Sequence, residues 1–291
     1  MSDAPISTVT ANGIEIAYLS QGEGPLLLCL HGFPDTPHGF SHQLSFFAEQ
    51  GYRVVAPFLR GYAPTAQPPG ASYQSAELAH DALALIEALG YEQAVIYGHD
   101  WGTAPAYGAA VLAPERVQRL IAAAVPYGPS MGVALMTDPA QQRRSWYMFY
   151  FQTMLAELAV PLNDFAFIEG LWNDWSPGGY PAEALAAAKR TLAQPGVLSS
   201  ALAYYRVALD PTRRRPELQA DEERIGRDLI SVPTLYLHGQ DDGCIGYDVT
   251  EGMASLFSAG LQREALPGAG HFPHMEAADA FNARVLAFLR P

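Results

Sequence analysis

The stretch Tyr97-Gly98-His99-Asp100-Trp101-Gly102 follows the short apolar run AVIYG and opens into TAPAYGAAVLA. The pattern is that of a strand, a sharp turn and a helix. A Gly-x-nucleophile-x-Gly frame at such a turn usually presents a serine. Here the middle residue is Asp100. A lone Asp in a turn is ordinarily a turn former or a cap, but Gly98 and Gly102 allow a turn sharp enough to lift residue 100 out of a sheet. A carboxylate, with an unperturbed pKa of ~4, is already charged at neutral pH. The product of its attack says more. Serine attacking a saturated carbon forms an ether, which water cannot cleave. Aspartate forms an ester, whose carbonyl water can attack. The residue type at position 100 therefore points to an electrophilic saturated carbon.

Such chemistry needs an acid and a histidine downstream. LHGQDDG closes an apolar run and offers Asp241 or Asp242. GAGHFPH offers His271, with His274 as the structural member of the pair. The chain order nucleophile, acid, base is met. HGFPD follows the apolar run PLLLCL. Its expected role is an oxyanion hole, with the backbone N–H of Phe33 as one donor and that of Trp101 as the other. His31 and His99 flank these motifs and are expected to support loops.

The elements that must place these residues alternate. ISTVTANGIEIAYLSQG reads as a β-hairpin turning at Asn12-Gly13. The runs 25–30, 52–58 and 94–98 suit strands buried on both faces, separated by helical patterns at 38–50 and 76–90. A strand at 117–125 follows the helix after Asp100. From about Pro126 to Ile230 the alternation stops, and the segment is rich in aromatics and helical runs. It resumes with a strand at 233–239, a helix, a strand at 261–268 and a last helix. The expected fold is α/β: a mostly parallel, doubly wound sheet with a helical cap inserted over the carboxyl ends of its strands. The expected boundaries are 1–126 and 231–291 for the core domain and 127–230 for the cap.

Composition narrows the partners. A net charge of −13 over 291 residues argues against nucleic acid, which calls for clustered Lys and Arg. The two cysteines, Cys29 and Cys244, make no disulfide framework, and Cys29 in PLLLCL reads as a small buried apolar residue. The first ten residues lack a basic and an apolar region, and no apolar run reaches the ~18 residues of a membrane span. A soluble, cytoplasmic monomer or homodimer is expected. No cluster has metal-ligand spacing and no Gly-rich dinucleotide motif occurs, so neither metal nor cofactor is expected.

The sequence resembles the epoxide hydrolases of the α/β-hydrolase family. The resemblance rests on HGFP (31–34), GHDWG (98–102), GQDD (239–242) and GHF (270–272), and on WYMFYFQ (146–152) and YYR (204–206) in the insertion. It covers nearly the whole chain. It implies Asp242 rather than Asp241 as the acid, and Tyr147 and Tyr205 as lid tyrosines that assist ring opening, with Tyr150 left as packing. The expected substrates are a small hydrophobic epoxide and water, the product a vicinal diol. Family members often carry Asp after the third strand, where this chain has Phe58; that departure bears on substrate fit. Trp172, Trp175 and Met148 are either pocket or lid core.

The core motifs are shared with dehalogenases, the alternative reading. A halide needs weak N–H donors. Trp101 offers one, but the second donor seen in a common haloalkane version is missing, since position 33 is Phe. Haloacetate dehalogenases carry arginines after the nucleophile, and WGTAPAYG has none. A non-catalytic receptor built on the same fold would not need Asp100, Asp242 and His271 together.

Overall fold

A computed structural model describes residues 5–68 and 70–290. The reading of Met1–Ala4 as free of a leader lies outside the described residues, as do the outermost core boundaries.

Eight strands form one sheet: β1 (Ile6–Ala11), β2 (Ile14–Gln21), β3 (Leu26–Leu30), β4 (Arg53–Pro57), β5 (Ala94–His99), β6 (Val117–Ala123), β7 (Thr234–Gly239) and β8 (Leu261–Leu266). Their order is β1-β2-β4-β3-β5-β6-β7-β8. The hairpin β1–β2 and the β2–β4 pair are antiparallel, and every later pair is parallel. Asn12 and Gly13 both take positive φ, 46° and 74°, the requirement of a two-residue hairpin turn. This is the α/β-hydrolase arrangement expected from the sequence.

The strand period of two splits the apolar runs between two cores. Leu27 and Cys29 point to one face, with Leu44 and Phe47 of α1 (Ser41–Glu49) and Phe281 and Val285 of the last helix (Ala278–Leu289). Leu26, Leu28 and Leu30 point to the other, with α2 (Ser75–Ala88) and α3 (Thr103–Leu112). Parallel strands covered on both faces are apolar throughout, which is why β3 and β5 are buried at every position.

Eight α-helices between Ser130 and Arg227, numbered α4 to α11, separate β6 from β7. They include α6 (Trp146–Tyr150) and α10 (Val197–Leu209). Their apolar faces join the same core cluster as Leu30 and Phe33, so the insertion closes over the carboxyl ends of β3 and β5.

Two local expectations differ. The helix expected from residue 38 opens as a 3-10 turn, Pro37–Phe40, before α1. The helix expected between β7 and β8 is absent; two 3-10 turns, Tyr247–Thr250 and Met253–Leu256, stand there instead. Gly243, Gly246, Gly252 and Gly260 interrupt the segment, and Gly252 takes φ +80°, which an α-helix cannot contain.

Candidate active site

Asp100 stands at the tip of the turn between β5 and α3 with φ 49°. That left-handed conformation is costly for a residue with a side chain and persists only when its surroundings enforce it. The flanking glycines enforce it by permitting close approach, not by their own φ. A Cβ on Gly98 would run into the Gly102 carbonyl, and one on Gly102 into the Leu30 carbonyl. The turn thus sits directly against the end of β3. Asp100 is 5% exposed.

The loop after β3 supplies its first partner. The Phe33 N–H donates to Asp100 Oδ1 at 2.7 Å. Trp101, the other expected donor, follows Asp100 in the same turn; no hydrogen bond from its N–H to the carboxylate is made among the described residues. The second oxygen, Oδ2, lies 3.3 Å from His271 Nε2. His271 Nδ1 lies 2.9 Å from Asp242 Oδ2. The three residues meet in one line although they come from three loops.

Each loop is fixed by specific contacts. Asp242 Oδ1 accepts the N–H groups of Cys244 (2.7 Å) and Ile245 (2.9 Å), and His238 Nε2 lies 3.3 Å from Oδ2. Asp241 is exposed, and its N–H donates to the Ala269 carbonyl. In the His271 loop, the N–H groups of Gly270 and Phe272 donate to Glu276, and the His271 N–H donates to the Trp175 carbonyl in the insertion. A Cβ on Gly270 would strike that carbonyl, so insertion and loop fit together only with glycine there.

Burial alone would drive the proton off His271. The negative groups around it reverse this and raise its pKa well above the usual imidazole value. Of those groups, the carboxylates of Asp242 and Asp100 carry the effect, because burial keeps the Cys244 side chain a neutral thiol. For Asp242 burial works upward, but His271, His238 and the backbone N–H groups hold its carboxyl below the ordinary value.

Above Asp100 is a cavity of about 160 Å³ lined by Asp100, Trp101, Met131, Tyr147, Tyr205 and Ile245, among others. Tyr147, on α6, and Tyr205, on α10, are 3% and 1% exposed. Burial pushes both phenols well above their usual range, so both remain O–H donors at neutral pH. Tyr147 Oη lies 3.3 Å from Cys244 Sγ. Tyr205 Oη closes no hydrogen bond among the described residues; the Trp101 and Tyr205 rings pack edge-to-face, with centroids 5.0 Å apart.

The other residues singled out from sequence divide as follows. Met148 lines the cavity. Trp172 donates to the Pro34 carbonyl and stacks on Phe272, while Trp175 packs edge-on against His271 and tilted against Tyr147. Tyr150 stacks on Phe167. Phe58 is buried against His38 and is not among the residues lining the cavity. His31 Nε2 accepts the Leu59 N–H, and His99 Nε2 donates to the His271 carbonyl.

Known proteins similar to this chain share its fold. A family model described as the alpha/beta hydrolase fold matches residues 25–278. Epoxide hydrolase 4 of Mus musculus is 30% identical over 96% of this chain and 77% of its own length. The chain belongs to the epoxide hydrolases of the α/β-hydrolase fold family. Epoxide hydrolase 3 of Mus musculus is also 30% identical, over 98% of this chain and 76% of its own. A solved variant of a Bacillus megaterium epoxide hydrolase, complexed with its product (R)-3-[1]naphthyloxy-propane-1,2-diol, aligns with TM-score 0.84 and 28% identity over 97% of this chain and 99% of its own. One from Vigna radiata aligns with TM-score 0.82 and 25% identity over 99% and 98%. No helix of the described residues is long and apolar enough to cross a membrane.

Two features of this family member are not legible in its motifs. Cys244 reaches Tyr147 across 97 positions; the only local signal was its place two residues after Asp242. Asp35, His99 and His274 form a buried cluster behind the triad, their ligand-type atoms within 4.8 Å of one another. The ligand-type atoms of Asp242, Cys244 and His271 lie equally close, but there the imidazole nitrogens face the two carboxylates at 2.9 and 3.3 Å.

Proposed function

We propose that this chain hydrolyses epoxides to vicinal diols through an ester on Asp100, hydrolysed by water that His271 activates and Asp242 orients. The observation that carries the reading is the pair of contacts on the two oxygens of Asp100: the Phe33 N–H on Oδ1 and His271 on Oδ2, beneath a cavity roofed by Tyr147 and Tyr205.

The first half-reaction joins an Asp100 oxygen to a ring carbon as the C–O bond breaks. The alkoxide needs a proton, and two buried phenols face the cavity to provide hydrogen bonds and a proton. Esterification neutralises Asp100. One charge that held the proton on His271 is then gone, and the imidazole is freed to act as base. In the second half-reaction water adds to the Asp100 carbonyl. The developing oxyanion is held by the N–H of Phe33, with that of Trp101 as second donor. Asp242 fixes the His271 tautomer, as in other nucleophile–His–acid triads. Residues 127–230 act as a cap domain that keeps bulk water from the ester. The cavity lining favours a small hydrophobic epoxide. The chain would work with no cofactor or metal, as monomer or homodimer.

The test is purified protein with racemic styrene oxide and, separately, 1-bromobutane, scoring diol and bromide. Diol without bromide is expected. Asp100→Ala should make no diol, and His271→Gln should accumulate an ester adduct visible by intact-protein mass spectrometry. Bromide without diol would replace the reading with a dehalogenase. Full diol formation in Asp100→Ala would remove the nucleophile assignment.

A further inference from the structure

The two lid tyrosines share one cavity but not one environment. Tyr205 Oη has no hydrogen-bond partner among the described residues. Tyr147 Oη has Cys244 Sγ at 3.3 Å. Cys244 is 1% exposed, and its backbone is pinned on both sides: its N–H donates to Asp242 Oδ1, and its carbonyl accepts from Gln141 Nε2 at 2.8 Å. The residue after it, Ile245, lines the cavity. Cys244 itself is not among the residues lining it.

A buried thiol carries one proton and must place it. His271 also comes within reach of the thiol, but with its proton held both ring nitrogens are donors and cannot accept the S–H. His271 Nδ1 faces Asp242 and Nε2 faces Asp100. Asp242 Oδ1 accepts two backbone N–H groups, and Oδ2 faces His271. Tyr147 Oη remains the open acceptor. If the S–H points at it, the phenolic O–H must turn elsewhere, and the open side is the cavity.

Resting on the epoxide-hydrolase reading above, we propose that Cys244 is the positioning residue for Tyr147: its S–H, donated to Tyr147 Oη, keeps the phenolic O–H turned toward the epoxide and supports the phenolate left behind. The assignment makes the two tyrosines unequal. Tyr147 gives its proton to the ring oxygen as the ring C–O bond breaks and the Asp100 ester bond forms. Tyr205 donates a hydrogen bond without being discharged. The proton that His271 releases when Asp100 becomes neutral equals in number the one Tyr147 gives up, so the charge of the site is restored before hydrolysis.

The experiment is rapid mixing of the full chain with styrene oxide, reading alkylation by tryptophan fluorescence and ester hydrolysis by single-turnover diol release, across pH 6 to 10. The variants are Cys244→Ala, Cys244→Ser, Tyr147→Phe and Cys244→Ala with Tyr147→Phe. The loss of one hydrogen bond should slow alkylation about tenfold in Cys244→Ala at each pH and leave ester hydrolysis unchanged. Cys244→Ser, which keeps a donor, should recover most of the rate. In the Tyr147→Phe background Cys244→Ala should change nothing further. Wild-type alkylation in Cys244→Ala, the same slowing without Tyr147, or a defect confined to ester hydrolysis each overturns the inference while leaving the parent reading intact. Neither diol nor adduct from the wild type overturns both.

Discussion

Two buried clusters of histidine and aspartate lie back to back in this protein, joined where His99 Nε2 donates to the His271 carbonyl. In the first, Asp100, His271 and Asp242 aim their polar atoms at one another, and Asp242 takes two further backbone N–H groups. In the second, both oxygens of Asp35, Nδ1 of His99 and both ring nitrogens of His274 find no hydrogen-bond partner among the described residues, and His274 Nε2 stays 3.8 Å from Asp35. The residue types are the same and the burial is the same. The pKa shifts run in opposite directions. Paired charges raise His271 and lower Asp242. Where pairing is incomplete, desolvation rules: His274 is lowered to about 3, His99 is lowered well below its usual value, and Asp35 is raised to about 6. Burial sets the cost of charge, and hydrogen-bond geometry decides whether charge survives.

The same substitution in the two clusters should separate them most widely. His271→Gln should cut turnover by about 10³-fold or more and leave Asp100 carrying the ester. His274→Gln, with a neutral side chain replacing a neutral imidazole, should turn over without a trapped adduct. Intact mass after incubation with styrene oxide reads both. An adduct in His274→Gln would mean that the second cluster takes part in hydrolysis. Next in size, Asp242→Asn should slow ester hydrolysis by roughly 10³-fold while alkylation changes far less, since the tautomer of His271 matters only once water must be activated. Equal slowing of both half-reactions would mean that Asp242 supports the fold of the site and not its proton transfer.

The first cluster was readable because each member sits just after an apolar run and beside glycines. Asp100 and its frame, and His271 after Gly268-Ala269-Gly270, are local patterns, and the strand–helix alternation that places them is local too. The choice of Asp242 over Asp241 came from resemblance alone; the structure places Asp241 in solvent and Asp242 on His271. The second cluster was not readable. Asp35, His99 and His274 each looked like a loop residue, and nothing local marks them as neighbours. Cys244 escaped for the same reason. The missing helix between β7 and β8 shows the converse error: alternation suggested an element that the glycines of that segment forbid.

Asp35 offers a stability test of the comparison. Its folded pKa of about 6 exceeds the ordinary 3.8, with desolvation as the main cause and His31 and His38 opposing it. The folded chain therefore holds this proton more tightly than the unfolded one. Stability contributed by the neutral carboxyl is full below pH 4 and falls as pH rises to about 6. The full difference is about 3 kcal/mol at neutral pH. Asp35→Asn should flatten this limb, gaining on the wild type between pH 4.5 and 7.5 in thermal melts. Parallel curves for the two proteins would show that Asp35 is charged and satisfied, by water the cluster admits.

The smallest effect is the most direct on mechanism. His271 has a raised folded pKa, so the stability it contributes is full below 6.5 and is lost as pH rises through the elevated value. Asp100 is one of the groups that raise it. Asp100→Asn keeps the shape of the side chain and removes its charge, as the ester does. The His271 ring protons, followed by NMR against pH, should then titrate at lower pH than in the wild type, and the alkaline loss of stability should begin earlier. That shift would measure how far esterification alone moves His271 toward being a base. An unchanged titration would place the control of that proton with Asp242, and the two half-reactions would then need a different coupling.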